Sequence, residues 1–181
     1  MLLRKFQTLL LRVRANRALA RARESTQAAL AAAPRNAKVL VVCHGNIYRS
    51  PLVATRLREL MGPSRVIAQG GFHAKGDRPS PAPHVAMSAT LGVDLRSHRS
   101  RVLESADYSA DLIVLMDRRN WVNLKRSGAD ERKFVWLGAL AQGEGGEVEI
   151  PDPYGLDAAA AEAIVKRLLV ASEALAGRLT S

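Results

Sequence analysis

Residues 41–51 read VVCHGNIYRSP and hold the only cysteine of the 181-residue chain. The run before it, 38–43, is short and rich in valine, as expected of a strand buried on both faces of a parallel sheet. The run after it, 51–61, reads as a helix closed by Gly62 and Pro63. Cys43 therefore stands at the carboxyl end of a first strand, on the loop entering a first helix. In open α/β sheets that is where ligands bind.

Working outward, further strands are expected at 64–69, 111–116 and 133–137, separated by helical stretches at 83–91, 118–126 and 156–179. Strict alternation of this kind predicts a doubly wound α/β fold: about four parallel strands with helices on both faces. The length suits one full hydrophobic core, placed at 38–181, and 1–37 is left as an N-terminal helical extension and linker. No internal repeat is visible, and Gly143 to Gly146 reads as an exposed loop.

The net charge of +10 is unevenly spread. Residues 1–38 hold nine Lys or Arg against Glu24 alone, leaving 18 basic and 16 acidic side chains in the rest. The near-neutral remainder argues against a nucleic-acid binder. On a helical wheel Leu2, Leu3, Phe6, Leu9, Leu10 and Val13 share one sector, with Arg4, Lys5, Gln7, Thr8, Arg12 and Arg14 outside it. That amphipathic basic pattern decays after Val13, and 24–37 is Ala-rich, interrupted by Pro34, and reads as a linker. Residues 1–23 suit contact with an anionic membrane surface or a partner protein, docking on their own domain, or a disordered arm; they also resemble a transit peptide. The apolar run at 9–11 is too short to span a bilayer or form a secretory signal.

A single cysteine excludes an intramolecular disulfide and a cysteine-based zinc cluster, and fits a reducing cytoplasm. The four histidines are isolated, with no helical zinc spacing, so no metal or other cofactor is expected. The expected location is cytoplasmic, peripheral at the inner membrane should the leader bind lipid.

If 44–50 curls above the helix start, its amides and the positive helix end converge on one site suited to a dianion. Gly45 permits close backbone approach and Asn46 tolerates a left-handed turn. Arg49 adds a planar fork for two phosphoryl oxygens. The same positive potential favours a thiolate at Cys43, and the Ser50 hydroxyl can hydrogen-bond that sulfur. A lone cysteine at a strand end is ordinarily a small buried hydrophobe; the surrounding Gly, Asn, Arg, Ser and Pro are what point to chemistry.

The run Cys-His-Gly-Asn-Ile-Tyr-Arg-Ser-Pro resembles the phosphate loop of low-molecular-weight protein tyrosine phosphatases. The resemblance runs from Lys38 to the C-terminus and includes Ser97 to Arg101, Asp111 to Asp117 and Ile150 to Tyr154. It implies a phosphohydrolase of protein phosphotyrosine working through a phosphocysteine, with Cys43 as nucleophile and Arg49 on the phosphoryl oxygens. Asp152, stiffened between Pro151 and Pro153, is then the general acid and later the base; alone, that tripeptide would read as a surface turn. The substrate contacts implied are His44, Gly45, Asn46, Ile47, Tyr48 and Ser50 of the loop, with Phe72 and Tyr154 as cleft walls. His98 and Asp117 match family positions of structural character, a packing residue and a helix cap or loop tie.

The C-terminal part is similar to bacterial members associated with exopolysaccharide export, implying a phosphotyrosine protein, such as a bacterial tyrosine kinase, as substrate. Two features depart from the family pattern: the second loop cysteine of many relatives is missing, and His44 stands where an apolar or small residue is usual. Rival functions on this fold are arsenate reduction with an external thiol and a catalytically silent phosphate-binding adaptor.

Overall fold

Successive residues of the first strand, Val-Leu-Val-Val-Cys, turn to opposite faces, and each face meets its own helical layer. The computed structural model describes residues 2–141 and 146–180, with the backbone alone for 2–8. Two helices lead the chain, α1 (Leu2–Ala20) and α2 (Ala22–Ala32). There follow β1 (Val39–Cys43), α3 (Arg49–Met61), β2 (Ile67–Gly71), α4 (Ala82–Thr90), β3 (Leu112–Leu115), α5 (Arg118–Arg126), β4 (Phe134–Trp136) and α6 (Ala158–Thr180). All strand pairs are parallel, in the order β2-β1-β3-β4. This is the doubly wound four-stranded sheet expected from the sequence. Strand order reverses between β1 and β3, so the crevice for a ligand opens where Cys43 ends β1.

Val39, Val41 and Cys43 face one core, filled by Leu52, Val53 and Leu57 of α3 and Leu168 and Leu175 of α6. Leu40 and Val42 face the other, with Ile113, Leu115, Trp121, Leu124 and Trp136. Each such side chain contributes about 1.5–3 kcal/mol through burial. The helix ends are set locally. Gly62 closes α3 at φ 78°, its N–H donating to the Arg58 carbonyl at 3.0 Å. Asp117 caps α5 by accepting the Asn120 N–H at 2.8 Å.

Strand β2 lies later than expected, at Ile67–Gly71 rather than 64–69. Ser64 and Arg65 belong to the preceding turn, and the glycines that disguise the strand are demanded by packing. A Cβ on Gly70 would stand 2.6 Å from Leu103. Gly143 to Gly145 lie outside the described residues, and of the expected loop there only Gly146 is described.

The leader departs most from expectation. The stretch 24–37, expected as a linker, is largely α2, and α2 lies along β4: the Thr26 hydroxyl accepts the Trp136 N–H at 3.0 Å. Arg23 donates to the carbonyls of Ala139 and Gly146 at 3.1 and 2.6 Å. Helix α1 joins the second core through Leu11, Ala15, Ala18 and Leu19, while Leu9 stays 58 % exposed, as do Leu10 and Val13 to a lesser degree. The wheel followed the largest side chains, whereas close approach to α5 selects small ones. Among the described residues no helix is long and apolar enough to cross a membrane.

Replacing Thr26 with Val should leave the Trp136 N–H buried and unpaired, lowering stability by about 1–3 kcal/mol in denaturant titration. Gln27→Ala, on the exposed side of the same helix, should stay within about 0.5 kcal/mol. Equal midpoints for the two variants would mean that α2 does not hold β4 in solution.

Candidate active site

Residues 44–48 bend continuously between β1 and α3, passing through Asn46 at φ 52°. Their carbonyls are drawn outward by donors from elsewhere. The His44 carbonyl accepts the His73 N–H at 2.9 Å, and that of Gly45 accepts Arg78 Nη2 at 2.6 Å. The carbonyls of Asn46 and Tyr48 accept from the Nε2 atoms of His98 and His84, at 2.7 and 3.1 Å. In a trans peptide the following N–H points opposite to the carbonyl, so those of Gly45, Asn46, Ile47 and Arg49 turn to the loop interior. The Asn46 N–H lands on Cys43 Sγ at 3.2 Å. Ser50 Oγ lies 3.0 Å from the same sulfur, and Asn46 Nδ2 donates to that oxygen at 2.8 Å.

Asn46 is fully buried, and its side chain completes a network. Nδ2 also reaches Gln69 Oε1 at 3.2 Å, and Oδ1 accepts the Arg101 N–H at 2.9 Å. Because a carbonyl only accepts, His98 carries its proton on Nε2, leaving Nδ1 to accept from Gln69 Nε2 at 3.4 Å. Burial lowers the pKa of His98, partly opposed by its bond to Asn46. Burial likewise lowers that of His84, against its bond to Tyr48.

Arg49 is 1 % exposed. Its Nη1 donates to Asp117 Oδ2 at 2.6 Å and to the Ile150 carbonyl at 2.9 Å, and its Nη2 to Asp152 Oδ2 at 2.8 Å. Burial works against the guanidinium charge, but Asp117, Cys43 and Asp152 outweigh it and raise the pKa above the ordinary value. Arg49 Nε is buried without a partner.

Above the sulfur opens a cleft of about 400 Å³, lined by Cys43, His44, Gly45, Ile47, Tyr48, His73, Arg78, Arg119, Asp152 and Tyr154. Tyr48 and Tyr154 meet edge to face at 6.2 Å, and Tyr154 is 72 % exposed at the rim. The Asp152 side chain is 40 % exposed. Partial burial first, then Arg119, His73 and Arg49, lower the pKa of His44, with Asp152 opposing. Arg119 Nη2 faces its Nε2 at 3.4 Å.

Seven of the residues expected from the sequence thus share one cleft: Cys43, His44, Gly45, Ile47, Tyr48, Asp152 and Tyr154. Four stand elsewhere. Arg49 is buried beside the cleft, its fork on Asp117 and Asp152. The side chains of Asn46 and Ser50 lie beneath the loop, where they brace its backbone and the sulfur. Phe72 does not wall the cleft: one residue past the end of β2, it packs against the second core and lines a neighbouring hollow. His73, the next residue, lines the cleft instead.

Gly71, Arg78 and Arg119 were not anticipated. Gly71 had a signal, a glycine pair ending a strand; a Cβ there would meet the His44 carbonyl and Asn46 Cβ at 2.9 Å. The two arginines carry no local signal. Among the described residues no group of three or more His, Cys, Asp or Glu comes together to hold a metal ion.

The family described as "Low molecular weight phosphotyrosine protein phosphatase" matches residues 38–181, and the chain belongs to that family. The low-molecular-weight protein-tyrosine-phosphatase Etp of Escherichia coli K12 is 31 % identical over 144 residues, covering 78 % of this chain and 94 % of that relative. The solved tyrosine phosphatase Wzb of Escherichia coli K30, in complex with sulphate, is 30 % identical with a TM-score of 0.70, covering 78 % and 97 % of the two chains. Vibrio vulnificus Wzb in complex with benzylphosphonate is 29 % identical with a TM-score of 0.68, covering 78 % and 98 %.

Two outcomes follow from the loop's supports. Gly71→Ala should stay folded by circular dichroism but bind inorganic phosphate at least roughly tenfold more weakly in calorimetry, because the loop must shift. Unchanged affinity would show that the loop tolerates the methyl group. For stability, the depressed values of His84 and His98 favour their neutral forms in the fold. Their contribution is complete above the unfolded value of about 6.5 and is lost as pH falls from there toward the folded values. Denaturant titrations between about pH 7.5 and 5.5 should show a steeper loss for the natural chain than for His98→Gln; parallel slopes would exclude His98.

Proposed function

We propose that the chain hydrolyses phosphotyrosine in proteins through a phosphocysteine intermediate. The observation that carries this is the position of Cys43 Sγ. It lies at the cleft floor, beneath an inward-turned N–H at 3.2 Å and beside the Ser50 hydroxyl at 3.0 Å. The Asp152 carboxylate stands on the same cleft, attached to the Arg49 fork. The sulphate and benzylphosphonate complexes of the Wzb relatives support the choice of ligand, an oxyanion carried on an aromatic methylene in the second case.

In the first step the Cys43 sulfur attacks phosphorus in line, a P–S bond forms and the P–O ester bond breaks. Incoming phosphoryl oxygens take the Arg49 fork from Asp152 and use the unpartnered Nε as well. Asp152, released from the fork and protonated from solvent as the substrate dianion takes its place, gives that proton to the leaving oxygen. Phenolate, of pKa about 10, needs that proton. In the second step Asp152 takes a proton from water, which attacks phosphorus. The P–S bond breaks, phosphate leaves, and the Ser50 hydroxyl supports the departing thiolate. Asp117 holds the guanidinium while Asp152 moves, so the two carboxylates divide anchoring from proton transfer.

Tyr48 and Tyr154 give the cleft an aromatic wall against which a phosphorylated ring can pack. A bacterial tyrosine kinase of polysaccharide export is the protein substrate implied by resemblance. The absence of a second cysteine in the chain leaves the nucleophile reliant on external thiols after oxidation, which suits a reducing compartment.

Hydrolysis of p-nitrophenyl phosphate and a phosphotyrosine peptide, with chelator present, tests the mechanism. Cys43→Ser should lose all activity. Asp152→Ala should lose about 10²–10⁴-fold on the peptide and less on p-nitrophenyl phosphate, whose leaving group depends less on protonation. Equal rates for the natural chain and Cys43→Ser would remove the covalent mechanism.

A further inference from the structure

Beside the catalytic cleft lies a second, larger hollow of about 830 Å³, and the leader helix α1 forms one of its walls. Arg12, Arg118, Arg119 and Arg126 line it with His44 and Phe72, and among the described residues no carboxylate does. His44 and Arg119 line both hollows, so the groove begins where the cleft ends. Arg118 is held toward the leader by Asn16 Oδ1 at 2.7 Å and balanced from behind by Glu149 at 2.9 Å.

This charge is placed against local preference. Arg118 and Arg119 occupy the first turn of α5, where the helix dipole favours carboxylates, and that turn contains none. Both side chains are exposed, so core packing does not require them there. Arg118 gains its bonds to Asn16 and Glu149, but Arg119 makes no ion pair among the described residues, and a local rule broken on the surface without such a gain marks a functional surface. All four cations are arginine, whose planar, weakly hydrated fork matches carboxylate and phosphate oxygens in pairs.

We propose that this groove binds an anionic flank of the polypeptide substrate, carboxylates or a second phosphate, while the phosphotyrosine enters the cleft above Cys43. The assignment rests on the phosphatase function proposed above and gives the basic leader a part in substrate selection. A peptide leaving the cleft over His44 passes directly among the guanidinium groups, and charge complementarity fixes its direction across the surface.

Three phosphotyrosine peptides test it on the full chain, one with a neutral flank, one with a glutamate flank and one with a second phosphotyrosine. For each, kcat/KM is taken relative to p-nitrophenyl phosphate in the same preparation. The natural chain should prefer the anionic flanks roughly tenfold, and the preference should shrink with added salt. The double variant Arg12→Ala/Arg126→Ala, checked for folding by circular dichroism, should lose most of it. Whichever anionic flank gains more identifies the source of the charge.

Equal values for all three peptides, or a preference untouched in the double variant, overturns the proposal. So does loss of sedimentation with anionic phospholipid vesicles in the double variant without any peptide preference, which assigns the arginines to a lipid surface. Calorimetry on Cys43→Ser separates the two functional claims. Tighter binding of anionic-flank peptides by a chain whose natural form hydrolyses nothing would keep the groove and discard the phosphatase.

Discussion

A peptide unit cannot turn its hydrogen toward a ligand without sending the neighbouring carbonyl the other way. Around Cys43 this constraint is met four times, with His73, Arg78, His84 and His98 supplying donors to the loop carbonyls. A buried carbonyl left without a donor costs about 1–3 kcal/mol, so each support is needed for the loop to keep its shape. Much of the chain from β2 up to β3 is accounted for by this duty. It brings donors, a glycine at position 71 that admits the loop, and the Gln69 side chain that completes the Asn46 network. The left-handed backbone of Asn46 is stabilised by the same bonds that bury its side chain.

The second constraint is electrostatic. A guanidinium as buried as Arg49 is retained only with close counter-charges, and removing one partner of such a pair costs about 3–5 kcal/mol. Asp117 does two things at once, capping α5 through one oxygen and holding Arg49 through the other. The Ile150 carbonyl adds a third hold and fixes the Pro-Asp-Pro segment against the loop. The position of the Asp152 carboxylate is thereby tied to that of the Arg49 fork, although 103 residues separate them in sequence.

The sheet and most of the cleft were legible because their signals are local: valine-rich strand, glycine and asparagine in the loop, and a helix read from Pro51, which begins two residues earlier at Arg49. Strand β2 was blurred since Gly70 and Gly71, chosen for close approach, look like loop residues. Phe72 was misplaced because a residue just beyond a strand end has no period to fix its face. Arg78 and Arg119 were invisible, being ordinary surface arginines until the fold sets them beside the loop. For the leader, helical character was readable but its docking was not. A wheel built on the largest apolar residues names one face, whereas Leu11, Ala15, Ala18 and Leu19 on another make the contact.

The bond from Trp136 to Thr26 has a meaning beyond stability. A parallel sheet that ends in an open strand invites foreign chains to zip on, one rung after another. Here the border rung is already occupied by a hydroxyl from the same molecule, on a helix that has no ladder of its own to offer. Along that border the sheet has nowhere to grow, and fibre-like stacking through β4 is closed to it for as long as the leader stays seated.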